Sequence, residues 1–155
     1  MFSTVKEFFE NKISGNTVAK AEHSTDHTIE LATAALLVEM TRADYHVSAK
    51  ERESVDRALS EVFGLSDRET VELVKLAEQE VREAASLYPF TSLIDKHFSQ
   101  SEKIHVVEML WRVAFSDGHK DKYEEYLVRK ISDLLHVSHK DFIKARHLVE
   151  EELKI

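Results

Sequence analysis

The chain has 155 residues, no cysteine, and 29 acidic against 21 basic side chains, a formal charge of -8. This length suits one domain burying about 70% of its unfolded surface. The missing cysteine excludes disulfides, thiolate metal centres and a cysteine nucleophile. The acidic balance argues against nucleic acid as a partner, because a phosphate backbone demands a basic face. The opening Met1-Phe2-Ser3-Thr4-Val5-Lys6-Glu7 lacks the basic and apolar regions of a signal peptide. No apolar run approaches the roughly 20 residues that span a bilayer, so the expectation is a cytoplasmic protein with no transmembrane segment.

In chain order, Phe2, Val5, Phe8 and Phe9 share one face of a short first helix ending near Ile13. That face docks on the rest of the domain, or else binds a partner or a membrane surface, for which Lys6 and Lys12 supply little charge. Residues 14–24 read as a connector, so 1–24 form an N-terminal helix and linker, and 25–155 form a single domain. A second helix starts near Thr25 or Asp26 and carries Ile29, Ala32, Leu36, Leu37, Val38 and Met40 to Ala43-Asp44.

Ser48 caps a third helix, with Glu51 at the capping-box position and an apolar stripe of Val55, Ala58, Leu59, Val62 and Phe63. Gly64 ends it. Ser66 with Glu69 opens a fourth helix, carrying Val71, Val74, Ala77 and Val81 to about Ser86. Pro89 suits the first turn of a short fifth helix with Phe90, Leu93, Ile94 and Phe98. Ser99 with Glu102 opens a sixth, apolar around nearly its whole circumference from Ile104 to Phe115, as befits the middle of a bundle. It stops at Ser116-Asp117-Gly118. Asp121 then caps a seventh helix with Glu124 three residues on, and its stripe is Tyr123, Tyr126, Leu127, Ile131, Leu134 and Leu135. Ser138 opens an eighth, with Phe142, Ala145, Val149 and Leu153 inward.

The three glycines and the single proline fall between these segments, so the fold class is all-α, a compact bundle of about eight helices. An internal repeat relates residues 25–86 to 99–155. Ala43-Asp44-Tyr45-His46 aligns with Ser116-Asp117-Gly118-His119 at an offset of 73, and Ser60 to Ser66 align with Ser132 to Ser138 at 72.

The sequence resembles the TerB-like family of tellurite-resistance proteins, whose fold also occurs in the N-terminal domain of the DjlA co-chaperone. The resemblance rests on Leu36-Leu37-Val38-Glu39-Met40 before Ala43-Asp44 and on Leu87-Tyr88-Pro89-Phe90-Thr91-Ser92-Leu93-Ile94. It continues through Leu110-Trp111-Arg112-Val113-Ala114-Phe115-Ser116-Asp117-Gly118 and Asp121-Lys122-Tyr123-Glu124-Glu125. It implies a stress-response module with an acidic, cation-binding surface. The family shows Ala-Asp-Gly at both turns, and Tyr45 stands where the first glycine would be.

The candidate metal ligands are Asp44, Glu51, Asp117, Asp121, Glu124 and Glu125, oxygen donors suited to Ca²⁺ or Mg²⁺. Each also has a purely structural reading, because acids in a first helical turn cap free N–H groups and meet the positive end of the dipole. The run from Asp117 does not fit an EF-hand. Among nine histidines, His23 and His27 are four apart, Glu102 and His105 form a Glu-x-x-His element, and His46 and His119 sit beside the two turns. None of these spacings is a metal signature by itself. No phosphate-cradling glycine loop or nucleophile elbow is present, so a non-enzymatic role is expected. The reading is a module that binds protein partners and a divalent cation. The alternative is a co-chaperone-like domain that holds a protein segment in an apolar groove.

Overall fold

The computed structural model describes residues 20–42, 49–118 and 120–155, with the side chains of the first helix from Ile29 onward. It contains α1 (Lys20–Arg42), α2 (Ala49–Phe63), α3 (Asp67–Glu83), α4 (Tyr88–His97), α5 (Gln100–Ala114), α6 (Lys122–Leu134) and α7 (His139–Leu153). Among the described residues all regular structure is helical, and no helix is long and apolar enough to cross a membrane. The helix expected over residues 2–13, the acidic turn at Asp44 with Tyr45, His46 and the Ser48 cap, and His119 lie outside the described residues.

Two helices form the centre. α1 packs against α2, α3, α4 and α5, while α5 packs against α1, α2, α6 and α7. Their sequences explain the placement. From Ile29 to Thr41 every α1 side chain but Glu39 is buried, and from Val106 to Phe115 α5 exposes only Glu108 and Arg112 in part. A helix apolar on all sides is stable only when other helices enclose it. α1 begins at Lys20, so residues 20–24, read as connector, belong to the helix.

The punctuation behaves as its chemistry dictates. Ser66 and Ser99 each accept from the N–H three residues on, and Glu69 and Glu102 reach back to the cap N–H, completing two capping boxes. Gly64 at φ 62 and His136 at φ 60 end α2 and α6 in the left-handed region. The next N–H, of Leu65 or Val137, donates to Ser60 O or Ser132 O at 3.1 and 3.0 Å. Both helices therefore close in the same way, with a buried apolar residue after the turn.

Several stripes shift from their expected register. In α6 the inward residues are Glu124, Leu127, Val128, Ile131 and Leu135, whereas Tyr123 and Tyr126 are 56% and 60% exposed. A glutamate at the centre of the buried face hides the true stripe and moves the apparent one onto its flank. Val62, Val71 and Leu153, also expected inward, are exposed, lying off the packed arc or at a helix end. A polar tie secures the lower edge: the buried Lys103 contacts Asp95 Oδ1 at 2.5 Å, and His136 Nδ1 meets the same oxygen at 3.0 Å. These two neighbours hold the Asp95 carboxyl below its usual range, Lys103 contributing most.

Candidate functional site

The acidic turn after α5 is built by the backbone. Phe115 N–H donates to Trp111 O, and Gly118 N–H donates to Phe115 O at 3.0 Å. Gly118 adopts φ +80, where a side chain would be strained although its Cβ would meet nothing within 4 Å. Ser116 Oγ donates to Val113 O at 2.8 Å, returning a helical carbonyl's partner. Asp121 then caps α6, one carboxylate oxygen accepting from Tyr123 N–H at 2.8 Å and Glu124 N–H at 3.0 Å. The capping role expected for Asp121 is thus met.

Beneath the turn lies a cation seated on aromatic rings. Trp111 is fully buried; its ring stacks on Phe115 at 5.0 Å, and its Nε1 donates to Phe142 O at 3.4 Å. The Arg146 guanidinium stands 5.3 Å from the Trp111 ring centre and 5.7 Å from that of Phe115. It donates to Glu125 Oε1 at 2.8 Å and approaches Glu150 Oε1 at 3.7 Å. Lys120 Nζ reaches Glu150 Oε2 at 2.6 Å, so the segment after Gly118 is clamped to α7. The Lys120 hydrogen bond, aided by the charges of Lys120, Arg146 and His147 and opposed by burial, holds Glu150 below the usual carboxylate range.

The six expected ligands therefore separate. Asp44 is outside the described residues. Glu51, in the first turn of α2, is 0% exposed, and Glu124, in the first turn of α6, is 2% exposed. Asp117 is half-buried, Asp121 is exposed and spent on the cap, and Glu125 is committed to Arg146. Among the described residues no group of three His, Asp or Glu side chains is arranged to hold a metal ion. The Glu102 carboxylate serves the α5 cap, receiving Ser99 N–H at 2.8 Å, so the Glu-x-x-His element is structural. Sequence reasoning missed Lys120, Arg146 and Glu150; of their contacts only the Arg146–Glu150 spacing of four was visible before folding.

A profile of the family described as Tellurite resistance protein TerB matches residues 30–147. The chain belongs to the TerB family. No curated protein and no solved structure gives a match. The TerB match runs from Glu30 through His147 and so spans every candidate acid and Arg146.

A cleft of about 190 Å³ lies on the other side of this TerB fold, where α1 ends, α2 begins and α3 ends. Val38, Thr41, Val55 and Val74 line it with Arg42, Arg52, Glu78 and Arg82. Arg52 pairs with Glu78 at 3.1 Å, and Arg42 approaches Glu39 at 3.6 Å. Arg82 makes no ion pair among the described residues. Two larger clefts, of about 610 and 880 Å³, share Val62, His105 and Met109 and run together along the α2–α5 boundary.

Proposed function

We propose that this TerB protein is a non-enzymatic binding module of the tellurite-resistance, stress-response type. In this reading it takes a divalent cation on the acids of its inter-helix turns and presents the ordered surface to a protein partner. The supporting observation is the pair Glu51 and Glu124. They stand 73 residues apart, the offset that aligns Asp44 with Asp117, and both are buried in the first turn after an acidic connection. A buried carboxylate in that position is an oxygen donor of the kind that Ca²⁺ and Mg²⁺ take. The same correspondence supports a fold of two related halves, α1–α3 and α5–α7.

Thermal unfolding with and without Ca²⁺, Mg²⁺ or Mn²⁺ tests the cation reading. A ligand that binds only the folded chain raises the melting temperature, and Asp117→Asn should reduce that rise while leaving ion-free stability nearly unchanged. An unmoved wild-type melting temperature with all three ions removes the reading and leaves the acids as caps. The continuous α2–α5 cleft favours a second reading, in which a protein segment lies along that boundary. Cross-linking of a bound peptide to Met109 or Val62 would support it.

A further inference from the structure

The filled space around Arg146 and the empty cleft at Arg82 are built from corresponding positions. At an offset of 73, Val38 corresponds to Trp111, Arg42 to Phe115, Arg52 to Glu125 and Val55 to Val128; at 72, Val74 corresponds to Arg146 and Glu78 to Glu150. On the α5–α7 side, a guanidinium rests on two rings between two carboxylates. On the α1–α3 side, valines replace the tryptophan and that arginine, and an arginine stands where Glu125 would be. The space is left open, and the Glu125 position changes from acid to base.

We propose that the cleft lined by Val38, Thr41, Arg42, Arg52, Val74 and Arg82 binds a phosphate-type oxyanion. Its volume of about 190 Å³ is far above the roughly 10–15 Å³ that holds one water, enough for a tetrahedral anion with some of its hydration. The three arginines that line it come from three helices, the last turn of α1, the first turn of α2 and the last turn of α3. Donors arriving from three directions match an anion with four oxygens, whereas a planar carboxylate offers two. Glu39 and Glu78 offset two of the cations, and among the described residues no ion pair engages Arg82. The valine floor excludes water from one side and so strengthens each charge-assisted bond. The structural alternative is that Arg42 and Arg82 only complement the negative ends of α1 and α3. That role needs no ligand and does not require Arg52, in the first turns of α2, to face the same space.

This inference uses none of the turn acids, so it stands or falls separately from the cation reading. The full chain, freed of divalent ions, is titrated with inorganic phosphate against chloride at matched ionic strength, following melting temperature and amide resonances. Phosphate should raise the melting temperature above the chloride control and shift the amides of Val38, Arg42, Arg52 and Arg82. Arg82→Gln should weaken phosphate by about tenfold or more, the loss of one charge-assisted hydrogen bond, while its melting temperature in chloride stays near wild type. Lys140→Gln, on α7, should bind as wild type does. Glycerol 2-phosphate separates the sources: equal binding assigns the site to a phosphomonoester, and loss of binding assigns it to the free ion. Protection no greater than chloride gives, or a wild-type phosphate response in Arg82→Gln, overturns the proposal. Should Arg82→Gln fail to fold, the wild-type amide shifts decide alone: changes confined to the cleft support the site, and changes elsewhere or none refute it.

Discussion

Two inter-helix spaces on this molecule, lined by residues 72 or 73 positions apart in the chain, are packed in opposite ways. Around Arg146, aromatic rings, two carboxylates and Lys120 fill the volume between α5, α6 and α7 with protein atoms. Around Arg82, small valines leave a cleft between α1, α2 and α3 with guanidiniums at its edge. Each space carries one Arg–Glu link between its second and third helices, and the direction of that link is reversed. Arg52 of α2 reaches Glu78 of α3, while Glu125 of α6 receives Arg146 of α7. The difference teaches that close packing has been divided unequally between the two sides: one is a packed strut, the other an opening.

The sharpest break of this contrast is Trp111→Ala. Removing a fully buried indole should cost about 3–5 kcal/mol through lost transfer energy and a residual cavity. Denaturant unfolding measures it. A loss below about 1 kcal/mol would mean that the filled side is not a strut. Next in size is the pair of cross-links. Arg146→Met should cost about 1–3 kcal/mol, because it removes a charged hydrogen bond and two ring contacts at a largely covered site. Arg52→Met removes an exposed pair and should cost no more than about 1 kcal/mol. Equal losses would erase the distinction between the two sides.

How much of this was legible beforehand follows from the range of each interaction. Ser66 with Glu69, Ser99 with Glu102, the stop at Gly64 and the burial of Trp111 depend on residues within one or two turns, and the sequence states them, whereas α5 ends at Ala114, four residues before the stop expected at Gly118. The outward turn of Tyr123 and Tyr126 was hidden because the buried arc of α6 runs through Glu124, a residue that pattern reading assigns to solvent. The Arg146–Glu125 and Lys120–Glu150 contacts join residues 21 and 30 apart, and no helical period records them. The cleft at Arg82 escaped for the same reason: three arginines spread over 41 positions meet only after α1, α2 and α3 have packed.

Backbone geometry offers a smaller test of the correspondence. His136→Gly should stabilise by up to about 1 kcal/mol, since glycine adopts the left-handed region freely, less whatever the Asp95 contact supplies. Gly64→His, the reciprocal change at φ 62, should destabilise by about 1 kcal/mol. Effects of the same sign at both positions would argue against equivalent helix ends. The smallest effect concerns acidity at the filled side. Glu150 is held below its usual value of 4.5, so the stability it contributes is complete above that value and disappears as pH falls through its lower folded value. Glu150→Gln should therefore be less stable than wild type at neutral pH, and the gap should close as pH falls below Glu150's usual value of 4.5, as urea unfolding across pH would show. A gap that widens in acid would reverse the sign of the Lys120 clamp.

The cation reading is tested most directly by adding substoichiometric Mn²⁺ and observing which amide resonances broaden, since the effect falls steeply with distance from the ion. The account predicts loss of signal centred on Asp117, Gly118 and Glu124, and on the first turn of α2 at Glu51, with Asp117→Asn abolishing the former. Uniform broadening, or broadening centred away from both acidic turns, would contradict it.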